Sequence, residues 1–397
     1  MTAADRANQE MVDRLIAQEA LWSPRLIAAF RQTPRHRFLE RLYQHGRDGA
    51  WREIDVTALG SAEISLVYSD RALTTRLSPV PPGTAPVPIS SSSQPSLMAQ
   101  MLEDLRPAPG LRVLEIGAGT GYNAALLAQV VGSGNVISVD VDRDVLSEAE
   151  RHLRGLPERA VRLVHADGRA VLAGEKPFDR IMVTAATPDL EPAWLEQLAP
   201  GGVLVAPLVL GPGLSFVVRG TVRSGVFRGR LTRPAYFMPL RAEGEAGTGD
   251  SAGLSDPGPL EAFLAPWADW PNARRTRLGT RGLVLSLAFY GLLHGLSIAC
   301  QAQGDATLFG LSDLVHGCTC WVGPQRWHVS GSAGRSLGET LWRAFLGAGA
   351  PWPTEFDLFA DPTGRLAPSG RECYARRGAR CQHVWRLRET RERPATF

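Results

Sequence analysis

The pattern of apolar and polar positions is most regular between residues 111 and 220. Near-continuous apolar runs at 112–116, 136–140, 161–165, 179–184 and 203–208 alternate with helix-compatible stretches. Strands buried on both faces read as such runs, whereas half-exposed strands alternate with period two. Repeated strand–helix alternation predicts an α/β fold, doubly wound and Rossmann-like, with helices on both faces of a parallel sheet. Pro200-Gly201-Gly202 turns into the last of these runs, and a further strand is expected at 214–218.

On the N-terminal side, Met11, Leu15, Leu21, Leu26, Ile27 and Phe30 recur at roughly helical spacing. Residues 1 to about 50 are therefore expected to be helical, with Ser23-Pro24 opening one helix. Residues 51–90 lack periodicity, and Pro79, Pro81, Pro82, Pro86 and Pro88 predict a stiff extended loop. Residues 1–90 thus read as a helical and loop region packed on the central unit, 91–240. Gln94-Pro95, after Ser90 to Ser93, opens a helix with Leu97, Met98, Met101, Leu102 and Leu105 on one face. On the C-terminal side, RAEGEAGTGDSAGLSDPGP at 241–259 has the composition of a flexible linker. A separate α+β domain is expected over 260–397, in which Leu283 to Ile298 fits a buried strand or a helix equally.

The chemistry is concentrated at VLEIGAGTG, Val113 to Gly121, and VISVDVD, Val136 to Asp142. A strand ends in Glu115; Gly117, Gly119 and Gly121 follow at alternate positions; a helix and a second strand ending in Asp140 come next. Glycine lets the backbone turn sharply and approach a ligand closely. An acid at a strand tip about 20 residues past the turn can accept both hydroxyls of a ribose. The spacing is E-x-G-x-G-x-G, not the G-x-G-x-x-G that aims a helix N-terminus at a pyrophosphate. An acid ahead of the glycines suits the cationic methionyl end of S-adenosylmethionine. A methyl donor is favoured over a dinucleotide; a glycine turn without ligand is the remaining alternative.

Composition narrows the class without naming a substrate. The net charge of +3 gives no footprint for nucleic acid or membrane, and no apolar run is long enough to span a bilayer. The opening residues lack the pattern of a secretory signal, so a cytoplasmic protein is expected. Cys300, Cys318, Cys320, Cys373 and Cys381 all lie late in the chain. With His316 and His383 they could form a zinc site, but C-x-C and C-x7-C are not finger spacings, and buried reduced thiols are the preferred reading; no metal is assigned.

At Ser93-Gln94-Pro95 the chain resembles the protein-L-isoaspartate (D-aspartate) O-methyltransferase family. ISSSSQPSLMAQMLEDL is followed by RVLEIGAGTGYNAALLA, HADG at 165–168, FDRIMV at 178–183 and LAPGGVLVAPL at 198–208; PRHRF at 34–38 and YSDRAL at 68–73 fit the same region. The resemblance implies a class I S-adenosylmethionine-dependent methyltransferase acting on a peptide or protein that bears Asp or isoAsp. It implies Ser93 beside the substrate carboxylate, against its other reading as a helix cap. It further implies Glu115, Gly117 and Gly119 at the methionyl end, Asp140 at the ribose, and Asp167 and Gly168 near the adenine. Gly121 is expected in the same turn.

Ser96 stands where the family has an aromatic residue, four serines replace the usual approach to the motif, and the chain continues about 150 residues beyond the usual end. With FMPLR at 237–241, these features resemble long actinobacterial members beside lanthipeptide and graspetide pathways, which methylate one Asp of a macrocyclised ribosomal peptide. A general isoaspartyl repair enzyme and a non-catalytic peptide-binding protein are the alternatives. Residues 260–397 are expected to recognise substrate or to oligomerise, leaving cofactor affinity nearly intact when deleted. Trp267, Trp270, Trp321, Trp327, Trp342, Trp352 and Trp385 there are read as core in preference to a peptide-binding face. The oligomeric state is not legible.

Overall fold

The apolar runs of the middle third stack side by side because each carries side chains that must be buried on both faces. The computed structural model describes residues 1–79, 85–156, 160–170, 172–242, 261–264, 272–303, 306–329, 331–370 and 373–388, with backbone alone for 261–264, 272–278, 303 and 306. In the central part, β5 (Val113–Ile116), α5 (Tyr122–Val131), β6 (Val136–Asp140), α6 (Arg143–Arg154), β7 (Val161–His165), β8 (Phe178–Val183), α7 (Pro192–Gln197) and β9 (Leu198–Gly211) follow in order. β5 pairs in parallel with β6 on one side and β8 on the other; β7 and β9 flank these. The chain reverses direction across the sheet at β5, which is where open α/β sheets form a ligand crevice. The expected strands are all found, within a few residues of their predicted bounds; the run at 203–208 lies within the longer β9.

Ahead of this unit come α1 (Ala3–Ala17) and α2 (Pro24–Gln32), as expected, and α4 (Pro95–Leu105), which buries Met98, Met101, Leu102 and Leu105. Between them the expectation of helix and loop fails. Residues 41–92 form β1 (Arg41–His45), β2 (Trp51–Asp55), a short α3 (Ser61–Val67), β3 (Leu73–Leu77) and β4 (Pro88–Ser92), giving a four-stranded antiparallel sheet in the order β2-β1-β3-β4. β1 and β2 are mostly exposed or half-buried, so they carry little apolar signal. Of the predicted proline loop, residues 80–84 lie outside the described residues, and Pro88 opens β4.

β10 (Leu214–Arg223) and β11 (Val226–Pro234) extend the central sheet antiparallel to β9. β11 escaped the sequence reading because arginines at 228, 230 and 233 dilute its apolar face. Beyond 260 lie β12 (Glu261–Leu264), α8 (Asn272–Leu293, kinked at Gly279), β13 (Ser297–Gln303), β14 (Ala306–Asp313), β15 (Cys318–Val322), β16 (Arg326–Val329), α9 (Gly331–Gly347), β17 (Phe356–Asp361), β18 (Cys373–Arg377) and β19 (Gln382–Leu387). Leu283 to Ile298 is thus helix turning into strand.

The extension has the expected α+β content, but the division at the linker is not a division of the fold. β17 pairs with β11, so the central sheet runs β18-β19-β17-β11-β10-β9-β8-β5-β6-β7. β12 to β16 make a separate five-stranded sheet. Phe289 of α8 lies 6.3 Å from Phe216 of β10, 5.4 Å from Phe356 and 5.5 Å from Trp385, ring to ring. Leu283, Leu287, Ala288 and Phe289 are fully buried in the same core as Leu204, Phe216 and Phe227. Burying each large apolar side chain is worth about 1.5–3 kcal/mol, so two independently folded units would each expose too much. Trp327, Trp342 and Trp385 are buried in this core and Trp321 in a small cluster with Ala299 and Leu308, and Cys318, Cys320 and Cys381 are buried, unpaired thiols. These four tryptophans therefore cannot anchor a peptide; Trp267, Trp270 and linker residues 243–259 lie outside the described residues. Among the described residues no helix is long and apolar enough to cross a membrane.

Candidate active site

The crevice at the end of β5 opens into a cavity of about 570 Å³, within the size range of small-molecule sites. Gly117, Gly119, Asp140 and Gly168 border it. Gly117 has φ +98°, and a Cβ there would collide with Thr184 Oγ1, so the loop holds its shape only with glycine. Asp140, half-buried at the tip of β6, accepts the Gly119 N–H at 3.2 Å and the Asp142 N–H at 3.1 Å. Burial, partly offset by these N–H bonds, raises its pKa.

Glu115 also borders the cavity but is fully buried. One oxygen accepts from Asn123 Nδ2 at 2.6 Å and the other from Ser138 Oγ. Burial pushes its pKa up to about 7, against the opposing pull of those two bonds and with help from nearby Asp140. It braces β5 against β6 and α5 from beneath the glycine loop.

Two expected contacts are not brought to the cavity. Gly121, φ +82°, precedes α5 and faces α6; a Cβ would stand 3.3 Å from Ala149 Cβ and 3.4 Å from Leu153 Cδ1. Its role is close helix packing. Asp167 does not border the cavity; it is paired with Arg169, Nη2 to Oδ2 at 2.7 Å, which holds its pKa below the ordinary value. Gly168 does border the cavity, and a Cβ there would collide with Ile116.

The opposite wall is the serine strand. Ser90 and Ser92 are buried, with Ser90 Oγ accepting from Thr75 at 3.1 Å and Ser92 Oγ from Arg35 Nε at 3.0 Å. Ser91 and Ser93 are half-buried, and both border the cavity. The cap reading for Ser93 does not hold: Gln94 is the cap position of α4, and the carboxylate of Asp70 accepts the Ser96 N–H at 2.8 Å.

Arg35 was missed in the sequence, where PRHRF offers three basic side chains and no sign of which turns inward. It is fully buried and is the strut behind the strand. Besides Ser92 Oγ, it donates to the carbonyls of Val67 (2.8 Å), Ser69 (3.2 Å), Arg71 (3.1 Å), Ser92 (3.0 Å) and Ser93 (2.9 Å). Burial lowers its pKa to about 10, which leaves it charged at neutral pH.

Two further elements close the site. The segment 236–241 crosses the mouth: Ala186 N–H donates to Met238 O at 2.8 Å, Leu240 N–H to Ala186 O at 2.7 Å, and Arg241 Nη2 to Ile89 O at 3.3 Å. Behind Ala186, the buried Asp189 binds the extension, accepting from His383 Nε2 at 2.7 Å, Arg380 N–H at 2.6 Å and Cys381 N–H at 3.0 Å.

Against known proteins, the family model for protein-L-isoaspartate(D-aspartate) O-methyltransferase matches residues 6–241. The chain is similar to the protein-L-isoaspartate O-methyltransferase of Methylobacillus flagellatus, 37% identical over 53% of this chain and 92% of that protein. It is likewise similar to that of Methanopyrus kandleri, 34% identical over 60% of this chain and 92% of that one. A solved structure of a protein-L-isoaspartate O-methyltransferase matches at TM-score 0.50 and 22% identity, covering 89% of this chain and 96% of its own. That coverage exceeds what residues 1–260 can supply, so part of the extension has a counterpart in that fold.

Proposed function

This chain belongs to the protein-L-isoaspartate (D-aspartate) O-methyltransferase family, and we propose that it transfers a methyl group to an aspartyl or isoaspartyl carboxylate of a macrocyclised ribosomal peptide. Membership makes it an S-adenosylmethionine-dependent methyltransferase. The observation that carries the rest is the meeting of a glycine loop, the Asp140 carboxylate and the Ser93 wall around one cavity.

Those residues suit the cofactor. The Gly117–Gly119 backbone, the Asp140 carboxylate and the apolar Val141 and Val145 border one cavity; on this reading Asp140 takes the ribose hydroxyls and the valines the base. When bound, S-adenosylmethionine supplies the methyl group, which passes to a carboxylate oxygen as the carbon–sulfur bond breaks and its electron pair stays on sulfur. A carboxylate is ionised at pH 7 and needs no general base. The protein's task is alignment and exclusion of water; Ser93 holds one carboxylate oxygen while the other attacks. The ester is then attacked by the following backbone amide nitrogen, methanol leaves, and water opens the succinimide to isoaspartate or aspartate.

The serine run and FMPLR support the macrocyclic substrate. General isoaspartyl repair is the second reading, favoured by the likeness of the extension to a solved isoaspartyl methyltransferase fold; length alone therefore does not mark a specialised enzyme. Mass spectrometry separates them. Methyl addition across a panel of linear isoAsp peptides means repair, whereas methyl addition or water loss at one Asp of one cyclised peptide means maturation.

Ser93→Ala is expected to fold and bind S-adenosylhomocysteine but to lose most methyl transfer. Full turnover would leave Ser91 as the next candidate, since the Ser92 hydroxyl is engaged by Arg35. Asp140→Ala is expected to weaken S-adenosylhomocysteine binding at least about tenfold by calorimetry, because each charge-assisted bond lost is worth about 1.5–3 kcal/mol. Unchanged affinity would remove Asp140 from the ribose site.

A further inference from the structure

The cavity has one cationic side chain on its border among the described residues, Arg241. The acids on that border, Glu115 and Asp140, belong to the cofactor end, while Arg241 ends the segment that crosses the mouth. It is half-buried, forms no ion pair with the described residues, and spends one N–H on Ile89 O at a long 3.3 Å. A guanidinium has five N–H donors arranged to grip a carboxylate, and only one of them is used within the described residues.

We propose that Arg241 binds a second carboxylate of the substrate peptide, distinct from the one that is methylated. Ile89, which anchors Arg241, lies four residues before Ser93 along the serine strand. An extended chain rises about 3.3 Å per residue, so the two sites are roughly 13 Å apart. No single carboxylate spans that gap, whereas an extended peptide covers it in about four residues. Separation also suits the chemistry: a guanidinium clamped on the attacking carboxylate would draw charge from its nucleophilic oxygen. Arg241 instead selects peptides with an Asp or Glu side chain, or a C-terminal carboxylate, about four residues from the target. This inference rests on the reading that a peptide carboxylate is the methyl acceptor.

The test uses synthetic isoaspartyl peptides that differ only four residues from the isoAsp, with Glu, Gln or Lys there and an amidated C-terminus. A further Gln peptide ends in a free carboxylate at that position. The full-length enzyme is expected to prefer the Glu peptide over the Gln peptide by roughly tenfold in kcat/KM, as a charge-assisted contact allows. Preference for the free C-terminus instead would assign the carboxylate to the chain end. In R241Q the ratio falls to near one, and in R241E it reverses in favour of Lys. Ratios are taken on one protein sample, so partial loss of folded enzyme cancels. Equal rates for all peptides with the unaltered enzyme, or a preference that survives R241Q, overturns the assignment. If no linear peptide is methylated, the repair reading of the reaction fails and the cyclised substrate remains. Fluorescence anisotropy of the same labelled peptides on S-adenosylhomocysteine-loaded enzyme then decides Arg241 separately: the Glu over Gln preference in Kd is present and lost in R241Q, or the proposal falls.

Discussion

Arg35→Met is expected to abolish methyl transfer and to lower the stability of the chain by several kcal/mol, since hydrogen bonds from a charged group are worth about 1.5–3 kcal/mol each. The fully buried guanidinium satisfies five carbonyls and one hydroxyl drawn from residues 67–71 and from Ser92 and Ser93. A thioether donates to none of them, and each buried acceptor left without a donor costs about 1–3 kcal/mol until water or movement relieves it. Arg35→Lys is expected to fare little better, because an ammonium cannot place donors across the spread of a planar fork. Two carbonyls in the set are those of Ser92 and Ser93, so the change displaces Ser93 even where the chain stays folded. Urea denaturation and a methyl-transfer assay test this; a variant within about 0.5 kcal/mol of the parent and with full turnover would show that Arg35 holds nothing in place.

Removal of residues 243–397 is expected to yield an insoluble or cofactor-deficient protein, contrary to what the linker composition suggests. It would bare the edge of β11, an invitation to aggregation, and expose Phe216 and Phe227 from the shared core. It would also strip Asp189 of His383 and of the two backbone N–H groups. Those bonds hold a segment whose start, Thr184 and Ala185, borders the cavity. The gentler Asp189→Asn is expected to weaken S-adenosylhomocysteine binding without touching the cavity.

Acid gives the same contact a signature. Burial alone would raise the Asp189 pKa, but His383 and the N–H groups of Arg380 and Cys381 more than offset it and hold it below the ordinary value. A depressed carboxylate stabilises the fold above its unfolded pKa, about 3.9, and that stabilisation is lost as pH falls through the lower folded value. Trp385, 6.2 Å from the His383 ring, should report the step in fluorescence below about pH 4. The step should vanish in Asp189→Asn, and its persistence there would place its cause elsewhere.

The parallel strands and the cofactor crevice were legible because strands buried on both faces leave unbroken apolar runs, and because glycines and an acid at fixed offsets have few other uses. What escaped was whatever depends on partners far along the chain. β1 and β2 are mostly exposed or half-buried and leave little pattern. Arg35 is one of three basic residues in five, and only packing shows which is swallowed. Asp189 meets its partners nearly two hundred residues later. Gly121 and Asp167 fit the motif by spacing, yet one serves helix packing and the other an arginine two residues away.

The breadth of the central sheet also makes its far edge an unexpected neighbour of the crevice. Neighbouring strands lie about 4.8 Å apart, and β18 is seven places from β5 in the sheet order, so a flat sheet would hold the two roughly 34 Å apart. Yet the turn between β18 and β19 donates to Asp189, five residues along the chain from Thr184 on the cavity border. The loop after β8 therefore spans what the ladder of strands separates, as a tie beam joins a doorway to a distant wall.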